Sequence, residues 1–250
     1  MTIALVTGGS RGLGKSMCVH LAAKGHDIIL TYNTNRVEAD DTVAQIERAG
    51  RKAVALQLDV SDSGTFAGFS DGVSKALTDT WQTERFDYLV NNAGIGTWTP
   101  FTEVTEEQFD RLMNIHLKGT FFLSQRLLPL MNDGGRILNI SSGLARFSLP
   151  GYSAYASMKG GVEVLTRYMA LELAPRKIAV NVLAPGAIET DFGGGTVRDN
   201  PEVNAAIASQ TALGRVGLPD DIGGAVAAIL SDDCRWLNGQ RIEFSGGIHL

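Results

Sequence analysis

The chain has 250 residues, of which 44% are hydrophobic and 20% charged, and its net charge is −5. This length can bury one large core, and the negative charge argues against nucleic acid or an anionic membrane surface as the main partner. No stretch approaches the roughly 20 apolar residues of a membrane span, and the first residues lack the basic region of a signal peptide. We therefore predict a cytoplasmic protein that binds neither nucleic acid nor membrane.

Cysteine and histidine give little support for a redox pair or a metal site. Cys18 and Cys234 form no CxxC pair, and the four histidines show no metal-binding spacing. We predict no bound metal.

Short apolar runs alternate with longer helical patterns along the whole chain. In chain order, strands are predicted at Ile3–Thr7, Asp27–Thr31, Ala53–Leu58, Tyr88–Val90, Arg136–Ile140, Ala179–Leu183 and Arg241–Phe244. Helices are predicted between them at Gly14–Ala23, Val37–Ala49, Thr65–Leu77, Glu106–Leu128, Ala154–Leu173 and Asp220–Leu230. This alternation is typical of right-handed βαβ units. It predicts one α/β domain over residues 1–250, a doubly wound parallel sheet (Rossmann fold) of about seven strands with helices on both faces, and ligands beyond the carboxyl ends of the strands.

The first strand runs into a glycine-rich loop that opens the first helix. Such a loop lets the backbone approach a phosphate, and the helix N-terminus offers free N–H groups. Residues 9–16 satisfy the P-loop pattern GxxxxGK[ST], and Asp59 could then hold a magnesium ion. The same loop also fits Thr-Gly-x-x-x-Gly-x-Gly through Thr7, Gly8, Gly12 and Gly14. On this segment alone, a nucleotide hydrolase and a dinucleotide-binding protein are both open.

Tyr155 and Lys159 form a Tyr-x-x-x-Lys motif inside a predicted helix. The i, i+4 spacing puts both side chains on one helix face. An ammonium beside a phenol favours the phenolate, which brings the pKa of the tyrosine down from about 10 toward the working range of a general acid or base. Ser142, just past the fifth strand, and Asn114 precede this motif. Ser141 is the rival to Ser142 as the serine that acts with Tyr155, and only its spacing from Tyr155 argues against it. His116 should lie on a different helix face from Asn114, which predicts a non-catalytic role for His116.

Taken in order, these motifs resemble the short-chain dehydrogenase/reductase family from Thr7 to Gly247, with Asn91-Asn92-Ala93-Gly94 after the fourth strand. The subgroup that the chain resembles most is the 3-oxoacyl-(acyl-carrier-protein) reductases. The resemblance implies a catalytic tetrad of Asn114, Ser142, Tyr155 and Lys159. Tyr155 would exchange a proton with the substrate oxygen, Ser142 would hydrogen-bond that oxygen, Lys159 would hold the nicotinamide ribose, and Asn114 would fix a water.

The resemblance also implies a dinucleotide site that adds Tyr155 and Lys159 to residues from five segments. These are Gly8, Gly9, Ser10, Arg11, Gly12, Leu13, Gly14, Tyr32, Asn33, Asp59, Val60, Asn92, Ala93, Gly94, Pro185, Gly186, Ile188 and Thr190. NAD-selective members place an Asp at the end of strand two, where this chain has Tyr32. Arg11 offers a guanidinium for a 2′-phosphate. NADP(H) is therefore predicted in preference to NAD(H).

The predicted activity is hydride transfer between nicotinamide and a carbonyl or secondary alcohol, such as a 3-oxoacyl thioester or another small ketone. Residues 187–211 are predicted to form a substrate lid, and five residues suggest a partly apolar pocket: Trp98, Leu144, Phe147, Tyr152 and Phe192. An acyl-carrier protein is a doubtful partner, because residues 130–135 before strand five contain no Lys or Arg, which leaves only Arg176 and Lys177 as docking candidates. The resemblance implies a homotetramer, consistent with apolar stretches at 109–128, 162–173 and 244–250. A P-loop hydrolase and a non-catalytic cofactor sensor are the alternatives.

Overall fold

A computed structural model describes residues 2–250 and contains one seven-stranded sheet. The strands are β1 (Ile3–Val6), β2 (Asp27–Tyr32), β3 (Ala53–Gln57), β4 (Phe86–Asn91), β5 (Met131–Ile140), β6 (Ala179–Pro185) and β7 (Arg241–Phe244). They lie in the order β3-β2-β1-β4-β5-β6-β7, and every neighbouring pair is parallel. The predicted doubly wound parallel sheet is confirmed.

Nine α-helices connect or follow the strands within residues 2–250. They are α1 (Gly12–Ala23), α2 (Arg36–Arg48), α3 (Phe66–Trp81), α4 (Glu106–Met113), α5 (Gly119–Leu127), α6 (Ser153–Glu172), α7 (Thr196–Asp199), α8 (Pro201–Ser209) and α9 (Pro219–Ile229). None of the helices in this part of the chain is long and apolar enough to cross a membrane.

Two apolar cores cover the two faces of the sheet. Ala4 and Val6 of β1 pack in one core with α1, α2 and α9, whereas Ile3 and Leu5 pack in the other with α3, α5 and α6. The alternation follows from the two-residue period of a strand, whose successive side chains point to opposite faces. Because both faces are covered, the strands are apolar almost throughout and the site must lie at an edge of the sheet.

The single predicted helix over Glu106–Leu128 is wrong in its middle. α4 and α5 are joined by a π-helical turn at Asn114–Lys118. A Cβ on Gly119 would lie 2.5 Å from the carbonyl oxygen of Val60 and 2.9 Å from that of Asn114, so the chain at this turn runs against the loop after β3. The extra residue of the turn changes the direction in which α5 continues relative to α4.

Candidate active site

The order of the strands reverses beside β1, and the loops after β1 and β4 meet there. Asn92 donates its side-chain amide to the carbonyl oxygen of Thr7 at 2.8 Å, while the Thr7 hydroxyl accepts from the backbone N–H groups of Asn92 and Ala93 at 2.9 and 3.0 Å. A Cβ on Gly14 would collide with the carbonyl oxygen of Gly8. The Asn-Asn-Ala-Gly segment therefore fixes the shape of the glycine-rich loop.

The N-terminus of α1 is open to an anion. Its N-cap residue Arg11 makes no side-chain cap, and the first turn carries no acidic residue. The N–H groups of the first turn therefore keep the partial positive charge that attracts a phosphate.

The two polar side chains that a P-loop would need point elsewhere. Lys15 pairs with Asp41 of α2 at 2.8 Å, and Ser16 donates to Asp220 of α9 at 2.8 Å. In a P-loop these side chains would reach the phosphates and the magnesium ion. The match to GxxxxGK[ST] therefore does not build a triphosphate site.

Ser142 and Ser141 have different partners at the end of β5. Ser141 is buried and donates to Glu163 Oε1 at 2.8 Å. Ser142 is half-buried, and its hydroxyl accepts from the Leu144 N–H at 3.2 Å and lies close enough to Tyr155 to lower the pKa of its phenol. This arrangement agrees with the choice of Ser142 as the serine of the tetrad.

Tyr155 is buried on α6, and its phenol is a proton donor at neutral pH. Burial raises the pKa of Tyr155 above its ordinary value and outweighs the neighbouring Ser142 hydroxyl, which lowers it. The pKa of Tyr155 thus lies opposite to the direction expected from Lys159 alone, because removal from water disfavours the phenolate.

Lys159 lies one turn further along α6, with its Nζ 5.6 Å from the centre of the Tyr155 ring. The Nζ donates to the carbonyl oxygen of Ile140 at 2.7 Å, and burial lowers the pKa of Lys159 to about 7. Asn114, the remaining member of the predicted tetrad, occupies the first position of the π-helical turn. Its buried Oδ1 has no hydrogen-bond partner among residues 2–250, so it can accept from a water, and its role in fixing that water stays a prediction.

His116, which the sequence places on a different helix face from Asn114, packs against Tyr155. The two rings meet edge to face with centroids 5.2 Å apart, and His116 Nε2 lies 2.8 Å from the carbonyl oxygen of Ile95. Burial, together with the charge of Lys159, lowers the pKa of His116 to about 2. A neutral imidazole in this position fits the predicted non-catalytic role.

At the adenosine end the structure differs from the expectation for Tyr32. Its side chain is 7% exposed, and the Arg36 guanidinium lies over its ring at 5.8 Å. A buried ring has little free surface for a ribose, whereas the next residue, Asn33, is exposed. Asp59 is exposed too, and it accepts from the Ser61 N–H and hydroxyl at 2.9 and 2.7 Å.

Arg11 is exposed but not isolated. Its Nη1 lies 3.8 Å from Asp191 Oδ2, and Asp191 also pairs with Arg198 at 2.5 Å. The residue predicted to hold a 2′-phosphate thus faces a carboxylate of the predicted lid.

The segment after β6 packs against the glycine-rich loop after β1. The Thr190 side chain is buried and lies 3.7 Å from the position of a Cβ on Gly12, while Ile188 bridges to Gly217. Gly186 has no room for a side chain, because a Cβ would lie 2.8 Å from Ser245. These contacts bring the predicted nicotinamide segment beside the predicted phosphate loop.

The predicted lid contains two short helices, α7 and α8, rather than a simple loop. Within it, the ring of Phe192 lies 5.9 Å from that of Tyr155 and would contact a Cβ on Gly96 at 2.5 Å. Three consecutive left-handed residues follow, Gly193, Gly194 and Gly195, with φ of 63°, 77° and 78°. Only glycine takes this conformation without strain, so the three residues set the path of the chain from Tyr155 to α7.

Two charged residues near the tetrad were not found from the sequence. Glu163 and Arg241 pair at 2.7 Å beside Ser141. A carboxylate four residues after Lys159 on a helix is one available signal for Glu163. Arg241 has no local signal, because strand order alone brings β7 to this place.

Comparisons with known proteins agree with this geometry. The sequence model of a family described as enoyl-(acyl carrier protein) reductase matches residues 8–249. The promiscuous reductase LugOII, which catalyses keto-reduction at C1 during lugdunomycin biosynthesis, is 40% identical with a TM-score of 0.95, covering 100% of this chain and 98% of LugOII. The angucycline C-6 ketoreductase LanV, solved with bound NADP, is 35% identical with a TM-score of 0.94, and the match covers 98% of this chain and 95% of LanV.

A hydroxynaphthalene reductase-like protein of Metarhizium majus is 35% identical over 257 residues, covering 98% of this chain and 94% of that protein. These similarities span both the glycine-rich loop and the residues around Tyr155. The chain therefore belongs to the short-chain dehydrogenase/reductase family of oxidoreductases.

Proposed function

We propose that the protein is an NADP(H)-dependent reductase of ketones, with Tyr155 as the proton donor. One observation carries the proposal. A buried, protonated phenol lies beside the Ser142 hydroxyl at the carboxyl edge of the sheet, and the Lys159 ammonium lies on the same helix face.

The residues around the cleft fit an NADP(H) dinucleotide. The open N-terminus of α1 suits the pyrophosphate, and Arg11 and Asn33 lie near the ends of β1 and β2, where the adenosine would bind. Thr190 lies against the same loop, and the unpartnered Asn114 Oδ1 suits an ordered water beside the ribose. Bound there, the nicotinamide would supply the hydride.

The chain's own residues do the remaining chemistry. Ser142 and Tyr155 both present hydroxyl groups, which orient a carbonyl oxygen and stabilise the negative charge that develops on it. Tyr155 gives its proton to that oxygen as the charge forms. Lys159, whose pKa is about 7, favours the phenolate left on Tyr155. It can then return a proton to Tyr155 from the part of the site where Asn114 lies.

The substrate that we propose is a free, partly apolar ketone. Exposed Trp98 packs on Gly151, and exposed Phe192 lies beside Tyr155. The small pocket beside Tyr155 is lined by both apolar and polar residues: Val104, Leu112, Ala154, Thr97, Thr99 and Gln108. LugOII is named for keto-reduction at C1 during lugdunomycin biosynthesis, LanV as an angucycline C-6 ketoreductase, and the Metarhizium majus relative as hydroxynaphthalene reductase-like. A ketone on an aromatic ring system fits the exposed aromatic side chains beside Tyr155. Arg176, a candidate for carrier docking, is occupied by Asp133 and by two backbone carbonyls. We therefore favour a small molecule over an acyl carrier.

The test is consumption of NADPH, followed by its absorbance, with a panel that contains a bicyclic aromatic ketone, a 3-oxoacyl thioester and an enoyl thioester. We expect the aromatic ketone to be reduced with the highest kcat/KM. NADPH binding without turnover of any carbonyl would favour the cofactor-sensing alternative. Preference for the enoyl thioester would favour reduction of a carbon–carbon double bond, the reaction for which the matching family model is described.

We also propose assembly into a homotetramer and a cytoplasmic location. The assembly is supported by apolar side chains exposed on α5 and α6, including Phe121, Phe122, Tyr168 and Leu171. Exposed apolar surface of this kind is typical of an interface between subunits.

A further inference from the structure

We propose that Glu163, Arg241, Glu243 and Arg146 form a positioning network that holds the catalytic Ser142 in place and connects it to residues 245–250. The proposal rests on the proposed function, because it assigns a role in the same reaction. None of the four residues was part of the predicted site.

The network begins at Ser141, the residue before Ser142 in the chain. Ser141 donates its hydroxyl to Glu163 Oε1 at 2.8 Å, and the same oxygen accepts from Arg241 Nε at 2.7 Å. Arg241 Nη2 also reaches the backbone carbonyl oxygen of Ser142 at 3.5 Å. Glu163 of α6 thus holds the side chain of the residue before Ser142, and Arg241 of β7 holds the backbone carbonyl of Ser142 itself.

The network continues from Arg241 to the loop that follows Ser142. Arg241 Nη1 donates to Glu243 Oε2 at 2.8 Å. Glu243 also accepts two bonds from Arg146, at Oε2 (2.7 Å) and at Oε1 (2.8 Å). Ser245 donates a further bond to Glu243 at 2.8 Å. Burial would raise the pKa of Glu243, but these donors outweigh it and lower that pKa to about 2.

Arg146 carries the network to the last residues of the chain. Its guanidinium donates to the carbonyl oxygens of Ile248 at 2.7 Å and His249 at 3.0 Å. The His249 ring packs on Phe147, with the centroids 4.5 Å apart. Residues 245–250 therefore dock on the loop of residues 143–147 that begins at the catalytic serine.

The charges alternate along this path, as Glu163, Arg241, Glu243 and Arg146. Their side chains are between 14% and 38% exposed, so the ion pairs are less screened than pairs on an open surface. β7 is the edge strand and is paired on one side only, with β6. The network fastens this edge strand to α6 and to the loop after β5, and it thereby limits the positions that Ser142 can take.

The experiment measures kcat, KM and the Kd for NADPH of full-length variants with the best ketone of the panel. Glu163→Ala removes the acceptor shared by Ser141 and Arg241, and we expect kcat to fall about 10-fold, because small displacements of a catalytic hydroxyl are costly. KM and the NADPH Kd should change less than about twofold. Glu163→Gln keeps an acceptor for Ser141 and should recover most of the lost kcat.

A double-mutant cycle separates positioning from a general effect on stability. In a Ser142→Ala background no serine hydroxyl is left to position, so Glu163→Ala should lower kcat by less than about twofold. Arg176→Ala is the matched control, since Arg176 makes three comparable bonds far from the tetrad. It should lower Tm and leave kcat unchanged. Removing residues 248–250 releases Arg146 and should lower kcat in the same direction as Glu163→Ala.

An unchanged kcat for Glu163→Ala, or equal losses with and without Ser142, would overturn the proposal. If Glu163→Ala does not fold, Arg241→Lys and the removal of residues 248–250 provide the same comparison. Wild-type protein that reduces no ketone would instead overturn the proposed function, and the network's catalytic role with it.

Discussion

At the scale of single residues, Tyr155 is deeply buried and lies beside Ser142, just after β5. Tyr155→Phe keeps the ring, which packs against His116 and Phe192, and removes only the proton donor. We expect kcat to fall by about 10²-fold or more, because a general acid is lost. Single-turnover reduction of the best ketone measures this directly.

The matched measurement for Tyr155→Phe is the Kd for NADPH, which should stay within about twofold of wild type. Near-normal turnover in this variant would show that another group supplies the proton.

Arg11 and Asn33 are the residues through which cofactor choice is best tested. A charge-assisted contact to a 2′-phosphate should favour NADPH over NADH by about 10- to 100-fold in kcat/KM. Arg11→Ala should weaken the binding of NADPH and leave the binding of NADH nearly unchanged. Asn33→Asp should reduce the preference for NADPH, because the added carboxylate would repel the 2′-phosphate. Tyr32→Asp is a poorer test, because it would bury a carboxylate.

The control for this selectivity is Asp191→Asn, which frees Arg11 from its carboxylate neighbour. It should strengthen NADPH binding. Equal use of both cofactors, unaltered by Arg11→Ala, would place the phosphate elsewhere.

Lys159 makes the stability of the cofactor-free protein depend on pH. Its pKa is about 7 when folded and about 10.5 in an unfolded chain, so between these values the unfolded state binds more protons. The free energy of unfolding therefore rises with pH between about 7 and about 10.5. Lys159→Met removes the effect, and the variant should exceed wild type in free energy of unfolding most at about pH 6 and least at about pH 9.5.

Denaturant unfolding at the two pH values decides the matter. A difference between Lys159→Met and wild type that stays constant, or grows, with pH would mean that Lys159 does not titrate in the folded protein as its burial implies.

Several site residues could be predicted because their signals are local. The spacing of Tyr155 and Lys159 and the Thr-Gly-x-x-x-Gly-x-Gly loop are both contained in short segments of sequence. The contacts of Arg11 with Asp191, and of Ser141 with Glu163, join residues far apart in the chain. No spacing in one sequence encodes such pairs, which depend on the packing of loops against helices.

At the scale of elements, the three left-handed glycines after Phe192 set the geometry of the predicted lid. Gly194→Ala should be strained by about 1–2 kcal/mol although a Cβ would meet no atom within 4 Å. We expect KM and kcat to change together, because the strain alters the position of Phe192 over Tyr155.

Gly68→Ala is the matched change in a regular helix. It lies in α3, where a Cβ also meets nothing within 4 Å, and Ala should stabilise the protein by about 0.5–1 kcal/mol. The two substitutions should thus shift Tm in opposite directions. A destabilised Gly68→Ala, or an unaffected Gly194→Ala, would contradict this account.

Strands were predicted more reliably than the long helix. Buried strands of a parallel sheet are short apolar runs, which a sequence shows plainly. The turn at Asn114–Lys118 is invisible in such a pattern, because it arises where the chain approaches the Val60 carbonyl.

At the scale of the whole molecule, the exposed apolar faces of α5 and α6 bear on assembly. Leu171 is 75% exposed, and Leu171→Glu would place a charge in the proposed interface. We expect wild type to sediment as four copies of the 26.7 kDa chain and Leu171→Glu as smaller species.

Val37→Glu is the control for assembly, since Val37 is 79% exposed on α2, away from this face. It should leave the assembled mass unchanged. A wild-type monomer, or the same mass for both variants, would contradict the proposed tetramer.

The π-helical turn has a consequence for how this enzyme can vary. Each residue advances a helix by about 100°, so the one extra residue sets the rotational phase of Phe121 and Phe122 relative to Asn114. Losing a residue there would swing these two rings round the helix axis while Asn114 stayed in place. Residue count therefore fixes the positions of Asn114 and of these two rings relative to one another, and an insertion or deletion in this turn would disturb the proposed water site and the proposed subunit interface together.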